Sequence, residues 1–119
     1  GDVVLVPNPG YPVFEAGPFL NDAKIAYYEL DKTNHYAPAL DKIPEELAKK
    51  AKMMVVSYPL NPTCTCIEKA DYEKIIAFAK KYNIAIIHDN AYSEIEYDGR
   101  TGFSFLSVPY LFFRVLPKT

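Results

Sequence analysis

The sequence predicts an α/β fold, a three-layer sandwich built on a mostly parallel sheet. Three observations carry that expectation. Four short, largely apolar runs, VVLV, KIAYYEL, MMVVS and IAIIH, recur along the chain. Two of them, VVLV and MMVVS, are almost continuously apolar, as suits strands covered on both faces. Segments with helical signals lie between the runs, and strand–helix alternation favours parallel pairing with helices as the outer layers.

The elements follow in order. Val3 to Val6 reads as a first strand, closed by the loop PNPGYP, where Pro7, Pro9, Gly10 and Pro12 break regular structure. Val13 to Asn21 is expected to be a short helix, and Lys24 to Leu30 a second strand, with a turn over 31–34. Pro44, Glu45 and Glu46 mark a helix start, because proline suits the first helical turn and acids suit the positive end of the dipole. Leu47, Ala48 and Ala51 continue one face of that helix. Met53 to Ser57 is the third strand, followed by the loop YPLNPTCTC. Glu68 to Tyr82 carries Tyr72, Ile75, Ile76, Ala79 and Tyr82 at helical spacing with lysines between them. Asn83 ends that helix, and Ile84 to His88 is the fourth strand. Asp98-Gly99 reads as a turn, FSFLSVP as a loop with buried aromatics, and YLFFRVL as a strand or an aggregation-prone end.

Composition narrows the function classes. The 119 residues carry a formal net charge of −2, with 50% hydrophobic and 24% charged residues, ordinary values for a soluble globular protein. There is no basic excess to neutralise phosphates, so no nucleic acid partner is expected. No apolar run approaches the roughly 18 residues of a membrane helix, and no signal-peptide pattern opens the sequence. Cys64 and Cys66 lie too close together for ordinary disulfide geometry and read as reduced thiols of a cytoplasmic protein. His35 and His88 are too few and too far apart to suggest a metal site.

The candidate site gathers at the strand ends. In parallel sheets, ligands bind beyond the carboxyl ends of the strands. Here those ends lead into PNPGYP, YPLNPT and HDNAY. Asp89, beside buried surface, needs a cationic or donor partner, which a protonated heteroaromatic nitrogen would supply. Tyr92 and Asn61 would donate to an oxygen on the same ring, and Tyr11 would lie on its face. Together they describe a pocket for a hydroxylated pyridine. Taken singly, each has a plainer reading: Asp89 as a cap or turn residue, Tyr11 and Tyr92 as packing, Asn61-Pro62 as a turn and His88 as a core histidine. The ordered combination gives the site reading its weight.

The three motifs PNPGYPVF (7–14), YPLNPTC (58–64) and HDNAY (88–92) resemble those of the class I/II aminotransferases, pyridoxal-phosphate-dependent enzymes of fold type I, in their aspartate and LL-diaminopimelate aminotransferase branch. The resemblance covers residues 1 to about 108. It implies that Asp89 pairs with the pyridine nitrogen, that Tyr92 and Asn61 hydrogen-bond the ring's phenolic oxygen, and that Tyr11 stacks on the ring. It also implies pyridoxal 5'-phosphate as cofactor, an amino acid and a 2-oxo acid as substrates, and a parent that is typically a homo-oligomer with sites at its interface. The Asn61-Pro62 bond is expected to be cis.

The sequence departs from the family pattern in three ways. An upstream glycine-containing phosphate grip and the downstream arginines are not present. Lys118 in LPKT echoes the Schiff-base lysine of an S-L-S-K-T motif, but at a short interval from Asp89 and with proline where serine is expected. Cys64 replaces the usual glycine after NPT, which would strain the backbone if the position needs a positive φ. Residues 1–119 are therefore expected to be a partial cofactor-binding large domain, cut at both ends and inactive by itself. The alternative is a stand-alone, non-enzymatic remnant that binds a small ligand or a protein.

Overall fold

In the computed structural model the described residues are 1–108. Lys118 and the YLFFRVL segment lie outside them. The chain runs β1 (Val3–Asn8), α1 (Val13–Leu20), β2 (Lys24–Glu29), α2 (Glu45–Lys50), β3 (Ala51–Ser57), α3 (Lys69–Tyr82) and β4 (Ala85–Asp89), with single 3₁₀ turns in the connections. All four strands are parallel, in the order β2-β1-β3-β4.

Alternation along the strands assigns the two faces. Val3 and Leu5 of β1, Met54 and Val56 of β3, and Tyr28 of β2 pack with Tyr72, Ile75, Ile76 and Ala79 of α3. Val4, Val6 and Val55 point the other way, onto Phe14 of α1. Helix α1 therefore covers one face on the way from β1 to β2, and α3 covers the opposite face on the way from β3 to β4. The chain reverses its direction across the sheet between β1 and β3, and the helices change face with it, as right-handed crossovers require.

Local chemistry explains the element ends. Glu68 is the N-cap of α3: its side chain accepts from the N3 backbone, while its own N–H donates to Asp71 Oδ2 at 3.1 Å. This capping box satisfies two of the helix's free amide donors. Asn83 closes the helix in the left-handed conformation, with φ 59°. Helix α2 has acids in its first turn and lysines in its last, and runs directly into β3. Ala51, expected on the helix face, is instead the first residue of β3, with ψ 134°. Strand β4 begins one residue later than the apolar run suggests and ends on Asp89 itself. The reason is the parallel pairing Ser57↔Asp89, which carries the ladder one residue past His88.

Two buried tyrosines tie the layers. Tyr28 Oη donates to the Val55 carbonyl at 2.6 Å and Tyr58 Oη to the Tyr36 carbonyl at 2.7 Å. Burial pushes both phenols up, so both remain neutral donors.

Candidate functional site

The sheet order brings the three motif loops to one edge. Strands β1, β3 and β4 are consecutive neighbours, and each is parallel to the next, so their carboxyl ends face the same way. Tyr11 follows β1, Asn61 follows β3 and Tyr92 follows β4, whose last residue is Asp89. The reversal of the chain between β1 and β3 opens a crevice at such a position in parallel sheets.

Asp89 is half-buried at the end of β4. Ile86 packs against the α3-side core and His88 lies edge-on to Tyr72, so alternation turns Asp89 to the opposite face. Its register partner Ser57 is only 2% exposed and is the one buried polar residue among those described. Ser57 Oγ donates to Asp89 Oδ2 at 3.2 Å. In the sequence Ser57 marks only the end of a strand. Its role depends on register between strands 32 positions apart, which no local pattern encodes.

The loop after β3 is tightly folded. Leu60 N–H donates to the Thr65 carbonyl at 3.0 Å, and Cys64 N–H to the Leu60 carbonyl at 2.7 Å. Asn61-Pro62 is cis, as expected, and Asn8-Pro9 and Tyr58-Pro59 are cis as well. Cys64 has φ 56°, the left-handed region that glycine tolerates and a Cβ opposes. Asn61 is half-buried, and Thr63 Oγ1 in the same loop is buried without a hydrogen-bond partner. So is Asn90 Oδ1, next to Asp89. Both are buried polar atoms just beyond the ends of β3 and β4, and nothing local in the sequence marks either the hydroxyl or the amide as unpaired.

Tyr11 and Tyr92 present open rings, 47% and 39% exposed. Tyr11 leans edge-on against Phe14, with centroids 6.0 Å apart and planes at 81°, so a face of the ring stays free. Tyr92 precedes the 3₁₀ turn Ser93–Ile95.

Other groups lie apart from this edge. His88 packs on the α3 side, with its ring edge-on to Tyr72 at 5.9 Å and to Phe105 at 4.8 Å. Burial lowers its pKa, although the Asp89 charge opposes the shift. A cavity of about 330 Å³ is lined by Tyr58, Cys66, Tyr72, Glu96, Arg100 and Phe103 among others, and by none of the predicted site residues. The two thiols are free, and burial raises that of Cys66. No cluster of metal-binding side chains and no helix long and apolar enough to cross a membrane occurs among the described residues.

A family model described as aminotransferase class I and II matches residues 1–113. The LL-diaminopimelate aminotransferase of Moorella thermoacetica is 40% identical over 109 residues, which is 92% of this chain and 28% of the relative. That of Halothermothrix orenii is 44% identical over 106 residues, 89% of this chain and 27% of the relative. Among solved structures, substrate-bound BacF from Bacillus subtilis superposes with a TM-score of 0.86 at 43% identity, covering 89% of this chain and 27% of that one. An aminotransferase from Staphylococcus aureus gives 0.83 at 35% identity, covering 89% and 28%. The chain thus spans a little over a quarter of the length of the relatives it matches.

Proposed function

The chain belongs to the class I and II aminotransferases, and from that premise we propose that it supplies the ring-binding edge of a pyridoxal 5'-phosphate enzyme that moves an amino group between an amino acid and a 2-oxo acid. The observation that carries this reading is the convergence of the PNPGYP, YPLNPT and HDNAY loops at the carboxyl ends of three adjacent parallel strands, with a carboxylate as the last residue of β4.

The residues present fit the cofactor. Asp89 has one oxygen held by Ser57 and is not wholly enclosed, so its other oxygen can meet a pyridinium. Tyr11 offers an uncovered aromatic face, and Tyr92 and Asn61 offer donors for a ring oxygen. Thr63 Oγ1 and Asn90 Oδ1 are buried polar atoms still lacking partners beside this edge, the condition expected where a polar ligand completes the structure.

When bound, the cofactor supplies an electron sink for charge developing at the substrate's α-carbon. The chain's own part is to hold and polarise. Asp89 keeps a proton on the pyridine nitrogen by pairing with the positive charge, in a half-buried setting where such a pair is stronger than in water. Tyr92 and Asn61 donate hydrogen bonds that fix the rotation of the ring in its plane. Tyr11 limits tilt and excludes water from one face by stacking. The same reading places the protein in amino acid metabolism and in the cytoplasm, with LL-diaminopimelate as the first substrate to try, since the relatives carry that name.

A chimera tests this. The matching segment of the Moorella enzyme is replaced by residues 1–108 of this chain, and cofactor absorbance and transamination of LL-diaminopimelate are measured. The chimera is expected to bind the cofactor and turn over. Asp89→Asn in it is expected to lower turnover by about 100-fold or more, the scale of losing a buried charge partner at a reacting group. A folded chimera that stays colourless, or one indifferent to Asp89→Asn, would overturn the reading.

A further inference from the structure

We infer that Ser57 is a positioning residue for Asp89: its buried hydroxyl fixes which carboxylate oxygen faces the open edge and which is turned to the sheet. The inference rests on the reading of Asp89 as the partner of a ring cation, and it extends that reading to a residue outside the three motif cores.

Four observations carry it. Ser57 and Asp89 are paired in the parallel ladder, so the backbone sets their side chains on one face at a fixed separation. Ser57 is 2% exposed, so its hydroxyl has no water to turn to and must find its partner within the protein. It does so at Asp89 Oδ2, 3.2 Å away, and this is the only hydrogen bond to the Asp89 carboxylate among the described residues. Asp89 Oδ1, by contrast, is not among the buried atoms left without a partner. One oxygen is tied inward and the other remains available.

The consequence is geometric. A carboxylate at a strand end has rotational freedom about its last bond, since terminal sp³–sp² torsions are broad. A single donor from the neighbouring strand narrows that freedom before any ligand arrives, so a cation meets a prepared acceptor instead of ordering one. A hydrogen bond to an ionised group is also stronger than a neutral one, so this donor holds the carboxylate's orientation more firmly than it would hold a neutral acceptor. Threonine keeps the donor, and alanine removes it with little change in volume.

The test uses the chimera, first without cofactor and then with it. In the cofactor-free chimera, the Asp89 side-chain carboxyl ¹³C resonance and the three-bond couplings that report its χ1 are compared for the parent, Ser57→Ala and Ser57→Thr. Ser57→Ala is expected to move the carboxyl resonance and to average the couplings toward mixed rotamers. Ser57→Thr is expected to restore both. The backbone resonances of β1 should stay in place in each, which shows that the sheet is intact. An unchanged Asp89 in Ser57→Ala would overturn the inference whatever the cofactor does. In the chimera, Ser57→Ala is expected to weaken cofactor affinity about 3- to 10-fold, the effect of losing one oriented hydrogen bond to a charged group. It should also shift the pH midpoint of the bound cofactor's absorbance band. If Asp89→Asn leaves turnover unchanged, the ring-partner reading fails, and the cofactor-free result still decides whether Ser57 orients Asp89. If Asp89→Asn lowers turnover and Ser57→Ala changes neither affinity nor midpoint, the positioning role fails alone.

Discussion

At Cys64 a single side chain conflicts with its backbone. Its φ of 56° lies in the left-handed region, where an L-residue with a Cβ carries a steric cost of about 1–2 kcal/mol. The loop cannot readily relax, because Cys64 N–H is bonded to the Leu60 carbonyl and Leu60 N–H to the Thr65 carbonyl. Glycine at this position removes the clash and returns about 0.4–1 kcal/mol of it through the greater freedom of the unfolded chain. Cys64→Gly is therefore expected to stabilise the protein by about 0.5–1 kcal/mol. Urea unfolding should show a higher midpoint at an unchanged slope; an equal or lower midpoint would show that the thiol contributes packing worth more than the strain. The conflict was legible in the sequence, because NPTC places a β-carbon where the family pattern has glycine. Ser57 was not legible, because its meaning depends on a partner in another strand. Residue-level reading succeeds where the constraint is local and fails where register creates it.

Packing between β4, α3 and the 103–105 segment sets a pH dependence. The His88 ring lies edge-on to Tyr72 of α3 and to Phe105, and Tyr72 in turn meets Phe103 at 4.8 Å and Phe105 at 4.7 Å. Around the imidazole stand the Tyr58 backbone, the Tyr72 phenol, which burial pushes up to about 12, and the Asp89 carboxylate on the next residue. His88 Nε2 is buried with no partner, so a proton added there would be poorly compensated. Burial therefore holds the folded-state pKa of His88 below its ordinary value of 6.5, against the opposing pull of Asp89. The unfolded chain then binds the proton first as pH falls. The stabilisation is complete above pH 6.5 and declines as pH drops from there toward the folded pKa. Asp31, whose carboxyl is held below 3.8 first by its hydrogen bond from Thr33, titrates in a lower window and does not obscure this one. Urea midpoints are expected to fall between pH 6.5 and 5 in the parent and to stay flat in His88→Phe. Equal slopes in the two proteins would remove His88 as the cause. The sequence marks His88 as a core histidine and FSFLSVP as a loop with buried aromatics, but not that this loop closes over His88 and α3, since that contact depends on a segment without periodicity.

The sheet as a whole is covered unevenly, and this gives the last prediction. The α3 face is sealed by a large cluster of buried side chains, whereas on the other face α1 shields only part of the surface. Tyr27 of β2, Met53 of β3 and Ile87 of β4 lie 49%, 37% and 44% exposed, and their alternation with buried neighbours puts them all on the α1 side. Phe19 and Leu20, at the end of α1, are exposed as well. The apolar runs in the sequence correctly indicated strands meant to be covered twice, and hence three layers. They could not indicate how much of the third layer these residues contribute, because a strand's composition records the cover its full fold provides. The relatives are nearly four times longer than the segment they share with this chain, so chain elsewhere in such a fold has ample length to provide it. Left open, Met53 and Ile87 on the adjacent strands β3 and β4 present exposed apolar side chains on this face, and apolar patches of this kind favour association. The 119-residue chain is therefore expected to self-associate at micromolar concentration and to enhance the fluorescence of a hydrophobic dye. The double change Met53→Lys and Ile87→Lys places two like charges on adjacent strands of the open face without touching the α3 core. It should lower both the weight-average mass in sedimentation and the dye signal, while leaving the far-ultraviolet circular dichroism intact. Unchanged association in the folded double variant would move the adhesive surface elsewhere and show that the sparsely covered face is tolerated in water.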